Sequence, residues 1–222
     1  MKAALILLMV SAIAVVGIQP ASAAAAPVLQ AAGVNPVSNP PLKRYAVANP
    51  SAAVLAAATT AAAQWPIAQK ALSTDPNGRV VFDAAGALAL GVQKSLVDEF
   101  ATGIEAGGGR VIGAAVDAGK VATARSAAVA LASNCQGINE LSYQWFGQQL
   151  KLDSCVTGRI IGALSAGAGT AALIALITSE TGIGGLAGGI VAALFTIGAG
   201  VLGSCAADGT GVIIDPAWCA AQ

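Results

Sequence analysis

Three features of this chain predict a mostly α-helical fold. Ala and Gly dominate long stretches, apolar positions recur at helical spacing where polar residues interrupt them, and residues 156–203 form one apolar tract whose only charges are Arg159 and Glu180. Apolar residues make up 56% of the chain and aromatics only 4%, so helices built from small side chains can approach one another closely, without a large aromatic core. The expected architecture is an Ala/Gly-rich helical bundle with a C-terminal apolar helical hairpin and a short disulfide-bound C-terminal tail.

The elements follow in order. Met1-Lys2, the apolar stretch 3–18 and the small-residue site Ala21-Ser22-Ala23 have the layout of a secretory signal, residues 1–23, cleaved after Ala23. A retained N-terminal anchor is the alternative. Residues 24–50 are a Pro/Ala/Asn-rich leader or linker, held extended because Pro36, Pro40 and Pro50 push their predecessors out of the helical region. Lys43-Arg44 within it is either a pair of solvated charges or a dibasic processing site that would leave Tyr45 as a new N-terminus.

Residues 51–155 read as a helical soluble region. Ser51 is placed to cap a helix running to about residue 73 with a kink at Pro66, and Asp75-Pro76-Asn77-Gly78 is a turn. From 80 to 105 the residues Leu88, Val92, Leu96, Phe100 and Ile104 recur every four positions, the stripe of an amphipathic helix. Gly107-Gly108-Gly109 breaks it. Further helices are expected over 110–133 and over 138–150, the latter carrying Tyr143, Trp145 and Phe146.

Residues 156–205 are the apolar hairpin, dividing into 159–178 and 183–203, each near the roughly 20 residues of a bilayer-spanning helix. Residues 206–222 form the tail, with a turn at 208–211 and a short strand at 212–214. Trp218 is placed either at a membrane interface or against the neighbouring cysteine bridge. Cys135, Cys155, Cys205 and Cys219 follow a secretory signal, so two disulfides are expected in an oxidising compartment. The short loops favour 135–155 with 205–219, while a hairpin would also bring Cys155 to Cys205.

Within the tract, Gly158 and Gly162, Gly184 and Gly188, Gly185 and Gly189, and Ala199 and Gly203 stand four residues apart, the spacing at which small residues let helices pack in lipid. This segment resembles the glycine-zipper segments of bacteriocin-like and other small membrane-active secreted proteins. The resemblance implies membrane insertion and helix self-association, with Gly158, Gly162, Gly184, Gly185, Gly188, Gly189 and Gly203 as packing positions. Glu180 sits at the hairpin tip, either in water or in an ordinary polar turn.

Composition and motifs exclude several function classes. Eleven basic and eleven acidic residues leave no net charge and no basic cluster beyond Lys43-Arg44, so nucleic-acid binding is not expected. The chain has no His, no Cys-x-x-Cys and no Gly-x-Ser-x-Gly, which removes the usual metal, redox and hydrolase constellations. Gly182-Ile183-Gly184-Gly185-Leu186-Ala187 matches a dinucleotide-binding turn in letters only, since no acid follows within its unit. No enzyme activity and no cofactor are expected.

Three readings of function remain. The first is an exported, envelope-associated helical protein that inserts or oligomerises through the hairpin, with lipid membrane and self-association as its contacts. The second is a bacteriocin-like pore former. The third is a soluble secreted binding or structural module that buries the tract as its core.

Overall fold

The computed structural model describes residues 43–129, 134–145 and 147–222. In chain order these residues form β1 (Tyr45–Ala46), α1 (Ala52–Ala68), a single 3-10 turn, β2 (Leu72–Thr74), β3 (Val80–Asp83), α2 (Ala84–Ala89), α3 (Lys94–Ala106), β4 (Arg110–Ile112) and α4 (Ala118–Val129). They continue with β5 (Glu140–Gln144), β6 (Gly147–Leu152), α5 (Ser154–Ser165), α6 (Thr170–Thr181), α7 (Gly188–Cys205), β7 (Val212–Ile214) and β8 (Trp218–Ala221). The signal at 1–23, the leader as far as residue 42, the 110–133 helix beyond residue 129 and Phe146 lie outside the described residues.

The fold class is therefore α+β, and the expected mostly α-helical bundle with a short disulfide-bound tail is corrected by two sheets. The larger sheet is antiparallel, in the order β1-β8-β7-β6-β5. The tail strand at 212–214 lies inside it as β7, so the tail is a structural layer and not an appendage. In the smaller sheet β2 and β3 form a hairpin, and β3 runs parallel to β4 across the helical connection α2–α3.

Each departure from the expected helices has a local cause. Residues 138–150 were expected to be helical, yet Leu150 and Leu152 are buried on either side of half-buried Lys151, a period of two that belongs to a strand. Gly147, at φ +130°, closes the β5–β6 hairpin in a backbone region that favours glycine. The 80–105 helix is preceded by the strand Val80-Val81-Phe82, because Asp83 caps α2 by accepting a hydrogen bond from Gly86 N at 3.0 Å. Leu88 consequently falls on α2 and is exposed, while Val97 takes the buried position beside half-buried Leu96.

Glycine ends the helices here. After α3, Gly108 N donates to Glu105 O and Gly109 N to Ile104 O, with Gly108 at φ +92°. After α5, Gly167 N donates to Leu164 O and Ala168 N to Ala163 O, with Gly167 at φ +74°. Both are Schellman caps, which satisfy the last carbonyls of a helix and require a left-handed residue. The second cap divides the apolar tract where no break was expected, giving three helices in place of two.

The core sits on α6. Residues Ala171 to Ile177 are each no more than 1% exposed, and α1, α3, α5 and α7 all pack around this helix. One row of the large sheet, Leu150, Ile214 and Cys219, is buried in register across three strands. The described residues, from 43 to 222, belong to one compact unit. Cys135 is bonded to Cys155 and Cys205 to Cys219, with Cα separations of 4.9 and 5.9 Å, the pairing that the short loops favoured.

Candidate association surface

The seven glycines expected to pack helices together take different roles. Gly162 on α5 lies so close to the Ala124 carbonyl of α4 that a side chain there would collide with it. On α7, a Cβ added at Gly188 would stand 2.6 Å from Thr59 Cα of α1. Gly158 is buried within α5. Gly184 and Gly185 lie in the loop between α6 and α7, and Gly189 and Gly203 face open space. The close crossings thus join the tract to α1 and α4, not the two arms of a hairpin to each other. A further close crossing, Gly103 of α3 against the Ala172 carbonyl of α6, involves a glycine outside the tract.

Glu180 stands just before the loop from α6 to α7, where Thr181 and Gly182 end the helix. It occupies the last turn of α6, largely buried, and forms an ion pair with Arg159 of α5. Arg159 Nη1 also donates to Gly107 O at 3.2 Å, so the tract's two charges neutralise each other and tie α5 and α6 to the end of α3. A cleft of about 220 Å³ beside them is lined by Arg79, the Gly107–Gly109 backbone, Ser179 and Glu180. Nearby, the Asp75 carboxyl is held below its ordinary value, chiefly by the hydrogen bond from Arg79 N and also by that from Asn77 N. As pH falls through that lowered value the turn at 75–79 loses these bonds, and it is intact above the ordinary carboxylate range.

A second cleft of about 180 Å³ is bordered by Asp98, Glu99 and Asp117 together with Lys120. Lys94 pairs with Asp98 at 2.6 Å, and Asp117 accepts from Lys120 N at 3.0 Å as the cap of α4. Among the described residues no group of three or more His, Cys, Asp and Glu side chains is placed to hold a metal ion.

Gln222 fastens the large sheet. Its Nε2 donates to Leu152 O at 2.8 Å and Ile138 O at 2.9 Å, and Oε1 accepts from Ile138 N at 2.9 Å. Gln222→Ala should lower stability by about 2 kcal/mol, since each lost bond contributes about 1 kcal/mol and partial exposure lets water replace some of them. A chemical denaturation curve measures this, and an unchanged midpoint would mean that the clamp is incidental.

The most distinctive surface is defined by where charge is missing. No charged residue occurs in 45–69, 141–150 or 181–207. These segments supply α1, most of the β5–β6 hairpin and all of α7, which are contiguous: α1 packs on α7, and Gln148 of β6 holds the loop before α7 through Gly185 O at 2.9 Å and Ala187 N at 2.7 Å. Ala53, Leu55, Ala56, Thr59, Thr60 and Ala63 on α1 and Val201 and Ser204 on α7 are exposed. At the hairpin end Tyr143 is 74% and Trp145 95% exposed. Trp218 lies elsewhere, on β8 beneath the Arg44 guanidinium, 4.4 Å from the ring centroid.

No protein-family model, no curated protein and no solved structure matches this chain.

Proposed function

We propose that this chain is a non-enzymatic, exported module of the cell envelope that keeps its apolar tract as a folded core and associates with its surroundings through the charge-free side built from α1 and α7. The observation that carries the reading is the segregation of charge. The described ionisable residues fall outside the exposed residues of these two helices, whereas a freely solvated helix normally presents a polar outer face. The disulfides and the signal-like N-terminus support export.

The structure argues against the tract acting as a preformed transmembrane hairpin. Helix α6 has 12 residues, about 18 Å at 1.5 Å per residue, against a hydrocarbon core of about 30 Å. Helix α7 is 18 residues long with mean hydropathy 1.8, but half of it is buried in the fold and Gly198 breaks its helical backbone at φ 66°, ψ 172°. An interrupted helix leaves backbone groups without partners in lipid.

Fractionation of producing cells tests the proposal. The exported protein should sediment with the envelope in 1 M salt, because an uncharged contact is not screened, and should be released by carbonate. The double variant Ala56→Lys, Ala63→Lys places two charges on exposed positions of α1 and should move the protein to the soluble fraction with its melting temperature nearly unchanged. Resistance to carbonate would mean that the tract spans the membrane. A wild-type protein found free of the envelope would overturn the proposal.

A further inference from the structure

The charge-free side ends in an aromatic projection. Tyr143 closes β5, Trp145 sits in the turn between β5 and β6, and both are far more exposed than any other aromatic side chain among the described residues. The remaining described aromatics are buried or half-buried, including Trp65 against Phe100 at 4.9 Å. Around the projection the chain offers Gln144, Gln148, Pro216 and the loop 182–187, all without charge. The hairpin is also fixed in place, because Gln148 both donates to and accepts from the loop that starts α7.

We infer that this hairpin is an interfacial anchor that seats the charge-free side of the molecule on a lipid bilayer surface, with Trp145 and Tyr143 at the depth of the headgroups. The inference rests on the proposed association surface and names its partner. Trp and Tyr are the side chains that favour the membrane–water boundary, where an apolar ring and a polar tip are satisfied together. Leu55 on α1 and Val201 on α7 add partly exposed apolar area to the uncharged helices. A second copy of the chain fits less well, because the cores of protein interfaces are enriched in aromatics and depleted in Ala, whereas here the exposed face of α1 is mostly alanine and the exposed aromatics lie on the β5–β6 hairpin. With no charge in α1, α7 or residues 141–150, the bilayer is recognised by its interface and not by anionic headgroups.

Purified, oxidised protein titrated with vesicles of pure phosphatidylcholine provides the test. Binding should shift the tryptophan emission to the blue and be quenched by brominated lipid, and it should be equally strong in high salt. Trp145→Ala should weaken partitioning about ten-fold, in line with the apolar area of one aromatic side chain, and Tyr143→Ala should weaken it less. Trp145→Phe should keep most of the partitioning and lose the bromine quenching, which a merely structural role for Trp145 would not produce. The inference is overturned if wild type ignores neutral vesicles, if Trp145→Ala partitions like wild type, or if the protein forms a dimer without lipid that Trp145→Ala dissolves. Should Ala56→Lys, Ala63→Lys abolish envelope association while Trp145→Ala leaves vesicle binding intact, the association surface stands and the anchor falls.

Discussion

Ile174→Asp is expected to abolish folding outright, with the protein recovered as aggregate or degraded during export. Ile174 is fully buried at the middle of α6, the helix on which α1, α3, α5 and α7 converge. A carboxylate there has no cation within the core to meet, since the tract's only basic residue, Arg159, is already paired with Glu180. The penalty for burying an unpaired charge exceeds the roughly 5–15 kcal/mol that holds a domain together. The milder Ile174→Ala should remain folded and lose about 2–5 kcal/mol, mostly through the cavity left behind. Urea denaturation of Ile174→Ala and the soluble yield of Ile174→Asp read these effects. If Ile174→Asp were secreted at wild-type levels with an unchanged unfolding midpoint, α6 would not be the core, and the case against a membrane-inserted tract would fall with it. The same logic applies to Leu194, which is also fully buried, so a charge placed there reports on folding before it reports on lipid.

Much of the local punctuation was legible in the sequence, and most of the architecture was not. The Asp75–Gly78 turn, the strand at 212–214 and both cysteine pairings are determined over fewer than about 20 residues, where turn chemistry and short loops decide. The sheets depend on pairing between distant segments, as in Tyr45 with Cys219, and no local pattern encodes that register. The strand at 147–152 was hidden because Gln148, Gln149, Leu150 and Lys151 fit a helix as readily as a strand. Glycine misled in a different way. Four-residue spacing suggested helix packing, yet Gly184 and Gly185 lie in the loop before α7, Gly185 with a left-handed backbone, a role that depends on φ and leaves the same letter in the sequence. The association surface was legible only in part: the uncharged runs are plain to read, but that α1 and α7 lie side by side is a tertiary fact.

Gly103→Ala and Gly189→Ala should therefore move stability in opposite directions, although both glycines lie in helices and both mutations add one methyl group. At Gly103 the new carbon would meet the backbone of Ala172, so α3 and α6 would have to separate where they cross most closely. A backbone cannot rotate aside as a side chain does, and the change should lower stability by about 3 kcal/mol, the upper end of the usual overpacking range. At Gly189 nothing lies within 4 Å and the residue is already helical, so alanine should raise stability by up to about 1 kcal/mol through helix propensity and a less flexible unfolded chain. For a domain of this size each kcal/mol corresponds to about 2–4 °C in melting temperature, which separates the two variants by about 6–16 °C. Vesicle partitioning of Gly189→Ala should stay at the wild-type level, since the position makes no close contact that a methyl group would break. Loss of an oligomer or of lipid binding in that variant, with the fold intact, would instead mark Gly189 as a packing position for a partner helix and return the glycine spacing of the tract to a functional role.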